Sequence, residues 1–359
     1  MYRFLIYFLL GWMVSLPVLA KSGFRKITVN RAGLSALNVA LWYPPGSAGK
    51  LEKIGENAAF TGSVVQRNAR PEEGKHPLLL FSHGYGGSWK NLAWLAEALA
   101  ERGFIVAAPN HPGTTTSDLT PDNAHQLWQR PKALTQIIDA LINDPLLAGN
   151  VDANRIAAVG HSLGGWTVLE LAGAKFSSRQ FTADCLRHAD FSSCKLLEQL
   201  GINLPGTDKL LAKSWQDNRI KAVVALDGGL LRGLTTASLA RIKVPVLLLG
   251  AETDLGGLPA EMESGYVAAR LPEKWRRYGK VPYTTHFSFM QLCKPGAEAM
   301  IEAAEPGEGV VCRDGGRVSR MEIHQRLLKE ISGFLLHSLA LHGNGNQRGK
   351  GRLAVETHG

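Results

Sequence analysis

The sequence predicts an α/β protein with a mostly parallel central sheet, helices on both faces and a cap-like insertion in its second half. Three observations carry this. Short, almost wholly apolar runs recur along the chain: "PLLLF" at 77–81, "FIVAAP" at 104–109, "RIAAVG" at 155–160, "IKAVVAL" at 220–226 and "VPVLLLG" at 244–250. The stretches between them repeat apolar residues at helical spacing. The unusual polar residues cluster just past the ends of the runs. Strands buried on both faces and alternating with helices make a parallel sheet, and such sheets bind ligands at their carboxyl ends.

Taken in order, residues 1–20 read as an export signal. Arg3 gives a basic start, Phe4–Leu19 is apolar, and Val18-Leu19-Ala20 supplies small or medium residues before a cut after Ala20. The domain is expected to run from 21 to 342, with a polar, Gly-rich tail over 343–359. "FRKITVN" and "LNVALWYP" alternate like an early hairpin. Residues 44–76, rich in Pro, Gly and charge, read as a long surface excursion. "SWKNLAWLAEALAERG" predicts a helix capped by Ser88 and stopped by Gly103. Helices are also expected over Leu127–Ile142, Leu163–Ala174, Glu261–Ala269 and Arg317–His337, and a last strand over Tyr278–Tyr283. Lys175–Asn218 interrupts the alternation and reads as an insertion or cap after the helix that begins at Leu163.

Composition narrows the function. The chain has 359 residues, 45% of them hydrophobic, and a net charge of +9, which removal of Arg3 would reduce to +8. No long Lys/Arg block points to nucleic acid. The basic surface is suited to solubility or to weak association with an anionic membrane surface. No Cys-x-x-Cys or His cluster marks a metal site, and no organic cofactor is implied. The four cysteines fit an exported chain, with Cys185–Cys194 and Cys293–Cys312 as the local pairs.

The chemistry centres on "GHSLGG", 160–165, which fits Gly-x-Ser-x-Gly between a strand and a helix. A serine hydroxyl needs a base, an acid that orients the base, and two donors for an oxyanion. Ser162 is the candidate nucleophile. The Leu163 amide, at the start of the next helix, is one oxyanion donor. The Tyr85 amide in "SHGYGG" is the other, with His83 and Gly84 shaping the turn. His286 in "PYTTHFSFM" follows the last strand and is the candidate base. His161 has the wrong side-chain direction for that role, His324 and His337 read as surface or packing residues, and His83 and His111 precede the elbow. Two aspartates compete as the acid: Asp227 in "ALDGG" and Asp254 in "GAETD", each at a strand end.

Together these residues resemble the α/β-hydrolase superfamily over roughly Leu78–Leu336. "FSHGYGGS", "GHSLGG", "ALDGG" and "THFSF" are most similar to bacterial relatives of the platelet-activating-factor acetylhydrolases, a group often labelled dienelactone hydrolases. The acetylhydrolase branch implies Asp227 as the acid, and the polyester- and dienelactone-hydrolase branches imply Asp254. Dienelactone hydrolases proper carry a cysteine nucleophile where this chain has Ser162. The resemblance implies an exported serine hydrolase of short-chain or acetylated-lipid-like esters. Its partner is a small or lipid-like ester, and it uses no cofactor. A cutin-type polyester hydrolase is the main alternative. A peptidase and a non-catalytic binding member of the fold rank lower.

Overall fold

Along "PLLLF", alternate residues serve opposite faces of one strand. Leu78 and Leu80 join one buried cluster, and Leu79 and Phe81 join another. The strand leading to Ser162 divides the same way, Ile156 and Ala158 on one face and Ala157 and Val159 on the other. A strand covered on both faces has no solvent side, so it carries no polar alternation. A computed structural model describes residues 21–255 and 257–343. The expected signal peptide, 1–20, and all but the first residue of the expected tail lie outside the described residues.

The amino-terminal part begins with β1 (Gly23–Arg31) and β2 (Leu34–Tyr43), which form the expected antiparallel hairpin. The stretch 44–76, expected to be a surface excursion, instead contains β3 (Lys50–Ile54) and β4 (Ser63–Arg67), paired antiparallel and joined to β1. Most residues of "KLEKI" and "SVVQR" face solvent, with Ile54 and Val65 among the few buried, so the apolar pattern was too sparse to read.

The core follows: β5 (Lys75–Ser82), α1 (Ala93–Ala100), β6 (Ile105–Pro109), α2 (Pro121–Ala124), α3 (Gln129–Asn143), β7 (Asn150–His161) and α4 (Leu163–Leu171). Helix α1 starts later than expected because Ser88 and Asn91 are spent on a turn, Asn91 Oδ1 accepting from the Ser88 amide at 2.7 Å. After the insertion come β8 (Ile220–Leu226), β9 (Val246–Ala251) and β10 (Arg276–Val281). The sheet order is β10-β9-β8-β7-β5-β6-β2-β1-β4-β3, with β5 to β10 all parallel. The terminal helix spans Arg320–Gly343 and packs with α1 on one face, while α3 and α4 cover the other.

Residues 175–218 hold three short helices, Ser178–Cys185, Ser192–Lys195 and Thr207–Leu211. Phe176, Phe181, Leu200, Ile202 and Leu211 are buried in the same core as α4. Buried Arg232 clamps the segment, pairing with Asp184 at 3.0 Å and Glu263 at 3.5 Å and donating to Ser193 Oγ at 2.9 Å. Cys185–Cys194 and Cys293–Cys312 are bonded as expected. They close loops of 9 and 19 residues, and loops of this size restrict the unfolded chain by about 2–4 kcal/mol each. Dithiothreitol is therefore expected to lower the melting temperature by several degrees. An unchanged midpoint with four titratable thiols would contradict this.

Candidate active site

The elbow at Ser162 is a consequence of crowding. A Cβ on Gly160 would lie 2.0 Å from the Gly164 carbonyl oxygen, and one on Gly164 would lie 1.9 Å from the Ser82 oxygen. Only glycines allow β5, β7 and α4 to approach this closely. Ser162 itself sits at φ 56° and ψ −122°, a conformation disfavoured for any residue with a side chain. Backbone bonds on both sides hold it there: its amide donates to Leu226 O at 3.0 Å, and its carbonyl accepts from Gly165 at 2.8 Å and Gly229 at 3.1 Å.

Two loops border the serine. A Cβ on Gly84 would stand 3.0 Å from Ser162 Cβ and 3.4 Å from Oγ, so the "SHGYGG" turn passes directly beside it, with the Tyr85 amide next in the chain. Leu163 is the first residue of α4, and its amide has no acceptor within the helix. His286 is buried in a 3-10 turn, His286–Phe289, after β10, and its ring lies 4.7 Å from that of His161, the residue before Ser162.

Asp227 is the aspartate that reaches His286. Its Oδ2 lies 2.6 Å from His286 Nδ1, and its Oδ1 accepts from the Ala251 amide at 2.7 Å. Both carboxylate oxygens are therefore fixed, and the imidazole keeps Nε2 as its second nitrogen. Asp227 also has a positive φ, 42°, which turns its side chain off the end of β8. Asp254 is exposed and accepts from the Leu258 amide at 2.9 Å, a loop-capping geometry.

Several supports escaped the sequence reading. His161, set aside for its direction, donates from Nε2 to the His286 carbonyl at 2.8 Å, and the two rings lie 4.7 Å apart. Burial holds His161 down to a pKa of about 3, so it stays a neutral donor. His324 is buried too: it bonds the Ser288 carbonyl at 3.1 Å and stacks on Trp94, which donates to Phe289 O at 3.0 Å. Three side chains thus pin three of the four carbonyls of the histidine turn.

The serine-side loop is pinned by Arg130, buried at 2% exposure. Its guanidinium donates to the His83 carbonyl, to Ser82 Oγ at 3.2 Å, to Thr114 Oγ1 at 2.5 Å and to Thr167 Oγ1 at 3.0 Å. His83 Nε2 accepts from the His111 amide at 3.0 Å, so its Nδ1 donates to Gly84 O at 2.7 Å. Burial, then Arg130, lowers the His83 pKa to about 3. One signal for Arg130 was legible: it sits on the same helix stripe as the buried Ala133, Leu134, Ile137, Ile138 and Leu141.

The family model for the alpha/beta hydrolase family matches residues 79–298, and the chain belongs to that family. Among its relatives, the cutinase est2 of Thermobifida alba is 28% identical over 185 residues, 51% of this chain and 43% of that protein. Cutinase 2 of Thermobifida cellulosilytica is 33% identical over 106 residues, 29% and 37% of the two chains. The chain thus spans less than half the length of these relatives. A ferulic acid esterase structure from Streptomyces cinnamoneus shares the fold, with a TM-score of 0.58 and 22% identity over 91% of this chain and 93% of that one.

Proposed function

We propose that the chain is an exported serine hydrolase of carboxylic esters. The observation that carries this is the His286–Asp227 pair at 2.6 Å, set at the sheet's carboxyl edge beside the strained Ser162 elbow. Ser162 Oγ attacks the acyl carbon and His286 Nε2 takes its proton. Asp227 holds the ring and stabilises the imidazolium. The Leu163 and Tyr85 amides receive the oxyanion, a role in which one donor supplies about 3–4 kcal/mol of barrier lowering. The alcohol leaves with the proton, and water activated by His286 releases the acyl group. Asp227, after the strand that follows the elbow helix, matches the order of the acetylhydrolase branch. Cutinase relatives and two disulfides support an ester substrate and export. Among the described residues no helix is long and apolar enough to cross a membrane.

A fluorophosphonate probe tests the reading. It is expected to label the wild type and not Ser162→Ala, with p-nitrophenyl acyl esters turned over and a peptide anilide left intact. No labelling of either protein would favour a binding role.

A polyester substrate is favoured by one feature. An open cleft of about 730 Å³ runs from Gly86, next to Tyr85, to Met290, at the end of the histidine turn, and is walled by Trp89, Met300, Ile301 and Val311. Its outer wall, the helix Ala297–Ala304, is tethered by Cys293–Cys312 and clasped by Thr61 and Lys294 amide bonds between 59–61 and 292–294. A short acyl ester does not fill this space; an extended aryl or oligomeric ester does. Ile301→Trp is expected to raise KM for a terephthalate diester about tenfold and to leave p-nitrophenyl acetate within about twofold. Equal effects on both substrates would remove the cleft from recognition.

A further inference from the structure

Arg31 and Arg130 are two buried guanidiniums that line one small cavity, together with His111, Thr114, Asn123 and Gln129. Among the described residues neither arginine pairs with a carboxylate, and burial is the sole influence on each, lowering both below the usual arginine range. Arg130 spends its donors on Ser82, His83, Thr114 and Thr167. Arg31 Nε donates to Ser35 O at 2.8 Å, but its Nη1 is buried without a partner. So is His111 Nδ1.

The hydrogen-bond order gives that nitrogen a proton. Ser82 Oγ accepts from Arg130 and lies 3.0 Å from His111 Nε2. Among the described residues His111 Nε2 is the one acceptor within reach of the Ser82 hydroxyl hydrogen, so that hydrogen goes to Nε2 and a neutral His111 carries its proton on Nδ1. The cavity therefore collects N–H donors from Arg31 and His111 beside two like charges. Gln129 Oε1, also buried without a partner, exchanges for an N–H donor when the carboxamide turns over. Uncompensated like charge in a low-dielectric interior is strongly unfavourable, and N–H donors converging on one point make an anion site.

We propose that the chain binds a single halide-sized monovalent anion, chloride or bromide, between Arg31, His111 and Arg130. Its size is set by the cavity, about 20 Å³, which takes one water-sized species and excludes sulfate or phosphate. The anion offsets one of the two charges, lowers the repulsion between the guanidiniums and adds to the hold on Arg130, which in turn bonds the His83 carbonyl beside Tyr85. The site is independent of the ester-hydrolase reading, and its test uses no turnover.

Thermal unfolding of the full chain is compared in sodium chloride, bromide and gluconate at equal ionic strength, and a crystal grown in bromide is measured at the bromine edge. The halides are expected to raise the midpoint by about 2–4 °C over gluconate, saturating with concentration. Arg31→Met is expected to abolish that increment. The crystal is expected to show one bromine peak among Arg31 Nη1, His111 Nδ1 and Arg130. Equal midpoints in all three salts, or a halide increment that survives in Arg31→Met, would overturn the proposal. A bromine peak with no solution effect would mean an adventitious ion only and would overturn it too. Should Arg31→Met not fold, the wild-type midpoints and the bromine peak decide.

Discussion

Ser162→Ala is expected to lower kcat for a p-nitrophenyl ester by about 10⁶-fold, to the level left by the oxyanion donors and binding alone. The fold should survive, because the hydroxyl supports no packing. Its backbone is held by the bonds to Leu226, Gly165 and Gly229, which alanine retains. Alanine also inherits the strain at φ 56°, so its melting temperature should match the wild type. Ser162→Gly separates the two properties. Glycine adopts a positive φ without penalty, and a strained residue of this kind costs of order 1–3 kcal/mol. Part of the gain is offset by the greater freedom of glycine in the unfolded chain, about 1 kcal/mol or less. The glycine variant should therefore be inactive yet melt higher than the wild type. A glycine variant that melts lower would mean that the elbow is not strained, and an alanine variant with near-wild-type turnover would remove Ser162 from the chemistry.

The parts that were legible in the sequence share a cause. Strands buried on both faces are apolar over their buried stretches, so β5 to β9 stood out as runs. The elbow was legible because crowding at 160 and 164 admits glycine alone. The two disulfides joined neighbours in sequence. What was not legible depends on chain segments far apart. β3 and β4 leave most of their residues at least partly in solvent, so Ile54 and Val65 are their only apolar residues that show the inward face. His161 looked misdirected because its partner, the carbonyl of His286, lies 125 residues away. Arg130 is a charge within an apolar stripe, and its acceptors come from three other segments. Asp227 and Asp254 are both at strand ends, and spacing along the chain carries no information about which one turns inward. The positive φ at Asp227 makes that turn, and an aspartate shows no sign of it in sequence.

That difference sets up the second large effect. Asp227→Asn is expected to lower kcat by about 10⁴-fold, while Asp254→Asn stays within about threefold of the wild type. The reasoning follows the proton. With Asp227 ionised, its Oδ2 accepts from His286 Nδ1–H, and Nε2 is left as the acceptor for the serine proton. Asparagine fills the same volume, and its oxygen can keep the bond from the Ala251 amide at the Oδ1 position. Its NH₂ group then faces His286 Nδ1 and donates to it. The ring's proton moves to Nε2, where it blocks uptake from Ser162, and no carboxylate remains to stabilise the imidazolium. The loss is thus electronic and tautomeric rather than structural, and the melting temperature should fall only slightly. Asp254 makes a loop cap to Leu258, which asparagine's side-chain oxygen also makes, so its replacement should pass unnoticed in turnover. The two variants are compared by kcat on one ester with melting curves alongside. A large loss in Asp254→Asn with Asp227→Asn near wild type would place the working acid on the β9 loop and require the histidine turn to shift toward it before catalysis.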